Sequence, residues 1–281
     1  MESLHLRLPH SHLDIRGYAS RPGASRQLLC LHGWLDNSAS FLPLAEELDD
    51  CNLIAIDLPG HGFSGTLPEG GAFDFYLYMM WLHELVDVLA IPDLILVGHS
   101  MGAAITSLYA GCFPERFQAL VLIEGLGPLS GQEADAPRNM RTYLEAWNRQ
   151  GLLANTLYPD WNAAVEARAK SGPIPRTAAE LLAQRGAKPL AGGVKWQHDP
   201  RHKLPSRYAF SEAQVLAFMR GISCPTLFVE GAATGFGKHV LAADRLAAIG
   251  DVQHVILEGG HHVHMEQAAL LATHLRLFLA R

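Results

Sequence analysis

Leu94-Ile95-Leu96-Val97-Gly98-His99-Ser100-Met101-Gly102-Ala103-Ala104-Ile105 is the stretch around which the rest of the chain is organised. Residues 94–97 are a short apolar run with β-favouring members, and they read as a buried strand. From Met101 onward, small and apolar residues read as a helix. Between the two sits Gly-x-Ser-x-Gly, with Ser100 at its apex. A strand that turns straight into a helix has no room for bulk two residues either side of the bend, and Gly98 and Gly102 remove the side chains that would collide there. The serine is then held in a strained conformation costing about 1–3 kcal/mol, a burden that functional sites carry. That geometry lifts Oγ above the sheet at a helix N-terminus, where free N–H groups and the helix dipole favour an oxyanion. Ser100 is the expected nucleophile.

Composition bounds the rest. The chain has 281 residues, and its 49% hydrophobic content is enough for one large α/β core. A net charge of −6, from 28 acidic against 22 basic residues, argues against a nucleic-acid surface. No run approaches the ~18 apolar residues of a membrane span. Cys30, Cys51, Cys112 and Cys224 show no Cys-x-x-Cys spacing, so free thiols are expected. Met1-Glu2-Ser3-Leu4 lacks a basic segment leading into an apolar one, which points to the cytoplasm. The expected partner is a small acyl substrate, and the chain is expected as a monomer or homodimer.

Outward from the elbow, apolar strands alternate with helical patterns. Residues 4–8 and 13–18 alternate around Pro9-His10-Ser11-His12, as in an antiparallel hairpin. Apolar strands follow at 27–31 and 52–58, the first ending at His32-Gly33-Trp34 and the second at Pro59-Gly60-His61-Gly62-Phe63-Ser64. Residues 38–49 and 75–89 carry helical faces, and a strand at 117–123 follows the helix after Ser100. From 128 to 221 the rhythm changes: 136–150, 161–171, 177–185 and 211–220 read as helices, with no strand among them. Sheet and helix resume with strands at 225–230 and 252–257 and helices at 241–249 and 265–280. The expected fold is therefore α/β, a doubly wound, mostly parallel eight-stranded sheet flanked by helices. Residues 1–127 and 222–281 form its core, and 128–221 insert as a helical cap.

His32-Gly33-Trp34, Asp57-Leu58-Pro59-Gly60-His61-Gly62-Phe63-Ser64, the Gly98–Gly102 elbow and Gly260-His261 followed by Glu266 lie in an order and spacing that resemble the α/β-hydrolases along nearly the whole chain. Trp196-Gln197-His198-Asp199-Pro200-Arg201 is similar to the serine hydrolase-like branch of that family. The resemblance makes His261 the base that takes the serine proton, in preference to His262 and His264, because it follows the strand and stands five residues before Glu266. It also implies an oxyanion hole from the backbone N–H groups of Trp34 and Met101. The Pro59–Ser64 turn reads as structural, and His61 as non-catalytic. A metal site at His261-His262-x-His264 lacks a carboxylate or cysteine at useful spacing. Residues 232–238 resemble a phosphate-binding loop, but alanine replaces the first glycine and His239 follows Lys238. No metal or cofactor is expected.

The chain departs from the family at the acid. Its usual position, three residues after the glycine that ends the strand at 225–231, is Thr234. Glu230 lies in the strand end and Asp244 in a helix. Glu124 ends the strand after Ser100, where haloalkane dehalogenases and similar branches carry their acid, and gives the order Ser…acid…His. The expected triad is Ser100, His261 and Glu124. Trp34 and His99 at the elbow, and Trp147 and Trp161 in the insertion, are expected to meet the substrate. The expected activity is hydrolysis of a small to medium ester or thioester. The same triad would serve a carbon–carbon bond hydrolase, and Thr234 keeps a non-catalytic, ligand-binding member of the fold as the competing class.

Overall fold

The computed structural model describes residues 1–172, 174–235 and 241–281. The residues Gly237, Lys238 and His239 of the phosphate-loop comparison lie outside them. Six strands precede the insertion: β1 (Glu2–Arg7), β2 (Asp14–Ala19), β3 (Arg26–Leu31), β4 (Cys51–Ile56), β5 (Leu94–His99) and β6 (Phe117–Ile123). The insertion contributes β7 (Leu157–Tyr158), β8 (Ala187–Leu190) and β9 (Gly193–Trp196), and the chain closes with β10 (Thr226–Gly231) and β11 (Val252–Leu257). The main sheet runs β1-β2-β4-β3-β5-β6-β10-β11. β1 pairs antiparallel with β2, and β2 with β4; every other neighbour in it is parallel. Parallel strands need crossovers, and helices supply them on both faces.

Those helices are α1 (Leu42–Glu47), α2 (Phe75–Leu89), α3 (Met101–Cys112), α4 (Ala136–Trp147), α5 (Trp161–Lys170), α6 (Arg176–Gly186), α7 (Glu212–Gly221), α8 (Ala242–Ala248), α9 (Val263–Glu266) and α10 (Ala268–Leu279). β5 shows why its run is apolar throughout: Leu94 and Leu96 enter the core under α2 and α3, while Ile95 and Val97 enter the one under α1 and α10. Burial on both faces removes the alternation that a half-exposed strand would carry. α2 starts where the Asp74 carboxylate accepts the Leu77 N–H at 2.9 Å.

Three expectations need correction. The insertion is not purely helical: β7, β9 and β8 form a small antiparallel sheet. Two-residue and four-residue strands are too short to show a period, and Pro189 argues against β8; only the turn at Ala191-Gly192 signals the hairpin. The helix expected at 265–280 is split at Gln267 into α9 and α10. The one expected at 38–49 opens as a 3₁₀ turn, Ser38–Phe41, before α1, with Pro43 at its second helical position. Helix α7, within the 128–221 span, packs on α3. Its Val215 and Met219 join the core of α2 and α3. A Cβ on Gly221 would stand 2.2 Å from the Gly111 carbonyl oxygen, so only glycine permits that approach.

Candidate active site

The carboxyl ends of β3, β5, β6 and β11 meet along one rim of the sheet, which is where an open α/β sheet binds its ligands. Ser100 follows β5 with φ +52° and ψ −112°, a conformation that only a well-braced residue keeps. Its N–H donates to the Ile123 carbonyl at 2.9 Å, and its carbonyl accepts from Ala104 as α3 begins. The two elbow glycines are obligatory: a Cβ on Gly98 would lie 2.5 Å from the Gly102 carbonyl carbon, and one on Gly102 2.0 Å from the Leu31 oxygen.

His261 stands between Ser100 and Glu124. Its Nε2 is 2.9 Å from Ser100 Oγ and its Nδ1 3.0 Å from Glu124 Oε2. Both contacts are satisfied when the proton sits on Nδ1 and Nε2 accepts from the serine hydroxyl. Glu124 is 2% exposed and adopts φ +52°, turning its side chain back across the rim. Its other oxygen, Oε1, accepts the Gly231 N–H at 2.6 Å, and the Thr234 hydroxyl shares its one proton between that oxygen at 3.0 Å and the Gly231 carbonyl at 2.8 Å. Thr234, standing where the family's usual acid would be, thus donates to the carboxylate that reaches the same histidine from β6.

The turn after β3 carries Trp34. Leu35, at φ +59°, donates its N–H to His61 Nε2 at 3.3 Å, and Asp36 N–H bonds the Gly33 carbonyl at 3.2 Å. The Trp34 and Met101 N–H groups have no acceptor among the described residues. His61 keeps its accepting lone pair because burial, with His202 and His32 nearby, holds its pKa well below the ordinary value. The Trp34 side chain is half exposed, and its Nε1–H bonds the His202 carbonyl at 3.1 Å.

The structure brings Ser100, His261, Glu124, Trp34 and Met101 to one rim, and it treats the remaining candidates differently. His99 is fully buried beneath the Ser100–His261 pair, where its Nε2–H bonds the His261 carbonyl at 2.7 Å. It braces the histidine loop and presents no surface to a substrate. Trp147 stacks on Tyr143 at 5.8 Å, and Trp161 packs against the small core that α5, α6 and β9 share.

The pattern of residue types concealed Asp36. This carboxylate is 3% exposed and accepts from Arg168 of α5 at 2.5 Å and from His262 Nε2 at 2.9 Å. Burial opposes its charge, but His262, Arg168 and His99 hold its carboxyl well below the usual range. Burial first, and neighbouring imidazoles after it, lower the pKa of His99 and His264, which stay neutral. Asp36, His99 and His262 offer donor atoms within 4.8 Å of one another, yet the Arg168 guanidinium already sits where a cation would. Contacts spanning 132 and 226 residues leave no local signal in the sequence.

A doubly wound sheet that presents a strained serine at its central elbow, backed by a histidine and a carboxylate, defines a hydrolase of the α/β type. The alpha/beta hydrolase fold model matches residues 27–268, and the chain belongs to that family, in its serine hydrolase-like branch. It is 27% identical to a serine hydrolase-like protein of Danio rerio over 284 residues, which cover 97% of this chain and 87% of that one. The crystal structure of a hypothetical protein from Pseudomonas aeruginosa PAO1 has a TM-score of 0.90 and 34% identity, covering 100% of both chains. The thioesterase domain from the curacin biosynthetic pathway has a TM-score of 0.82 and 26% identity, covering 99% of each. No helix among the described residues is long and apolar enough to cross a membrane.

Proposed function

We propose that the chain hydrolyses a small to medium ester or thioester through an acyl-enzyme on Ser100. The observation that carries this reading is the continuous contact from Ser100 Oγ through His261 to Glu124, at 2.9 and 3.0 Å. Ser100 Oγ attacks the acyl carbon as His261 Nε2 takes its proton. The Trp34 and Met101 N–H groups receive the oxyanion. His261 then gives that proton to the departing alcohol or thiol. Water, deprotonated by the same nitrogen, releases the acid and restores Ser100. Glu124 fixes the tautomer and stabilises the transient imidazolium.

Residues 128 to about 205 act as a lid, while α7 belongs with the core. Arg168 and Arg185 tie α5 and α6 to Asp36 and Asp57 beside the rim, which supports this placement. Trp34 forms the edge of the acyl pocket, with Trp147 and Trp161 on the lid side. The likeness to a thioesterase domain supports an acyl bond as the target.

The test is turnover of p-nitrophenyl acetate and butyrate together with adduct mapping by a fluorophosphonate. Wild type should carry one adduct, on Ser100, and Ser100→Ala should lose at least about 10⁴-fold in turnover. An adduct on another serine, or an active Ser100→Ala protein, would overturn the assignment.

A further inference from the structure

The Asp36 cluster has an arrangement that the Ser–His–Glu relay does not require. Asp36 lies two residues past the proposed oxyanion donor, on the turn after β3. One of its oxygens holds Arg168, which arrives from α5 with only 13% of its side chain exposed. The other accepts the His262 Nε2–H and faces His99 Nδ1 at 3.8 Å. That His99 nitrogen is buried without a partner, because its ring proton is committed to the His261 carbonyl. His99 precedes Ser100 and His262 follows His261, so one carboxylate sits beside the neighbours of both reacting residues.

We propose that Asp36 is a positioning residue that couples seating of helix α5, through Arg168, to the placement and basicity of His261; this rests on His261 being the base. With Arg168 seated, the two opposite charges largely cancel at His261. With α5 lifted, Asp36 keeps a buried negative charge faced, among the charged and titratable groups of the described residues, by imidazoles, an arrangement that is costly unless one of them protonates or the turn moves. The site is then tuned for catalysis only while the lid helix is docked. Among the described residues, the groups facing Asp36 are Arg168 from α5, His262 from the turn before α9 and His99 from the end of β5, with His32 after β3 and His264 of α9 within electrostatic reach. His261 in turn faces Glu124 at the end of β6, together with His99, His262 and His264.

The coupling predicts shifts of opposite sign, which a purely structural contact would not produce. The measurement is the acid limb of kcat/KM for p-nitrophenyl butyrate in the full-length protein, with folding checked by circular dichroism. Arg168→Met leaves the negative charge uncompensated and should move the limb up by about half to one pH unit. Asp36→Asn leaves the guanidinium and should move it down by a similar amount. The double variant should return close to wild type, and Arg168→Lys should hold the limb in place. If Asp36→Asn fails to fold, the contrast between Arg168→Met and Arg168→Lys decides alone. Shifts of the same sign, or none in folded variants, overturn the coupling. Inhibition of wild type by micromolar zinc, reversed by chelation and lost in Asp36→Asn, would overturn it too, by making the cluster a metal site. A wild type with no acid limb, or an active His261→Ala, would instead refute His261 as base.

Discussion

Glu124→Gln keeps the shape of the side chain and removes its charge, and the hydrogen bonds around it show what each part does. In the proposed mechanism Oε2 holds the imidazolium, so turnover in the folded variant should fall by about 10⁴-fold. A loss of under threefold in an ester assay would send the acid's role elsewhere. Thr234→Val tests the other oxygen, because it removes one of the two donors that the described residues give Oε1 and leaves the Gly231 N–H. A shared hydrogen bond to a carboxylate, about 1.5 kcal/mol, translates to roughly a tenfold loss of kcat, with KM unchanged. Unchanged turnover would mean that the Gly231 N–H alone fixes the carboxylate.

At the scale of elements, the insertion is held to the core by charges in pockets. Arg185 of α6 reaches Asp57, which is fully buried at the end of β4 and also accepts from the Ser38 N–H, the Ser38 hydroxyl and the Phe63 N–H. Arg185→Met strips the cation and leaves that carboxylate buried, so unfolding free energy should fall by about 3–5 kcal/mol in a urea titration. A change under about 1 kcal/mol would show that the three remaining donors suffice. This is also the scale at which the sequence was least legible. The core strands are apolar enough to be read directly, and the elbow was visible because Gly98 and Gly102 leave no alternative there. Glu124 could be inferred because Thr234 cannot carry a charge and β6 ends beside the nucleophile. The β8–β9 hairpin and the Asp36–Arg168 pair were not legible. The former is too short for periodicity, and the latter joins residues whose local neighbours give no hint of each other.

Over the whole molecule, buried neutral histidines set the response to acid. Burial lowers the pKa of His32, His61, His99 and His264, with neighbouring rings adding to it at the last three; burial likewise takes His202 to about 3 and His198 to about 4. The unfolded chain binds protons at these sites from about pH 6.5 downward, while the native state does not. Each site therefore removes up to about 1.4 kcal/mol of stability per pH unit below 6.5 until its folded pKa is reached. Asp36 acts in a lower window: its contribution is present above its unfolded value near 3.9 and is lost only as pH falls through its depressed folded pKa. The urea midpoint should thus drop steeply between pH 6.5 and 5, and a flat profile there would mean that these rings charge in place. The contacts that join Ser100 to His261 and His261 to Glu124 close loops of 161 and 137 residues. Closures of that length come late in folding. After dilution from denaturant, helical signal should recover before ester turnover, and the interval between them would time the arrival of the last strand and its histidine at a rim already built.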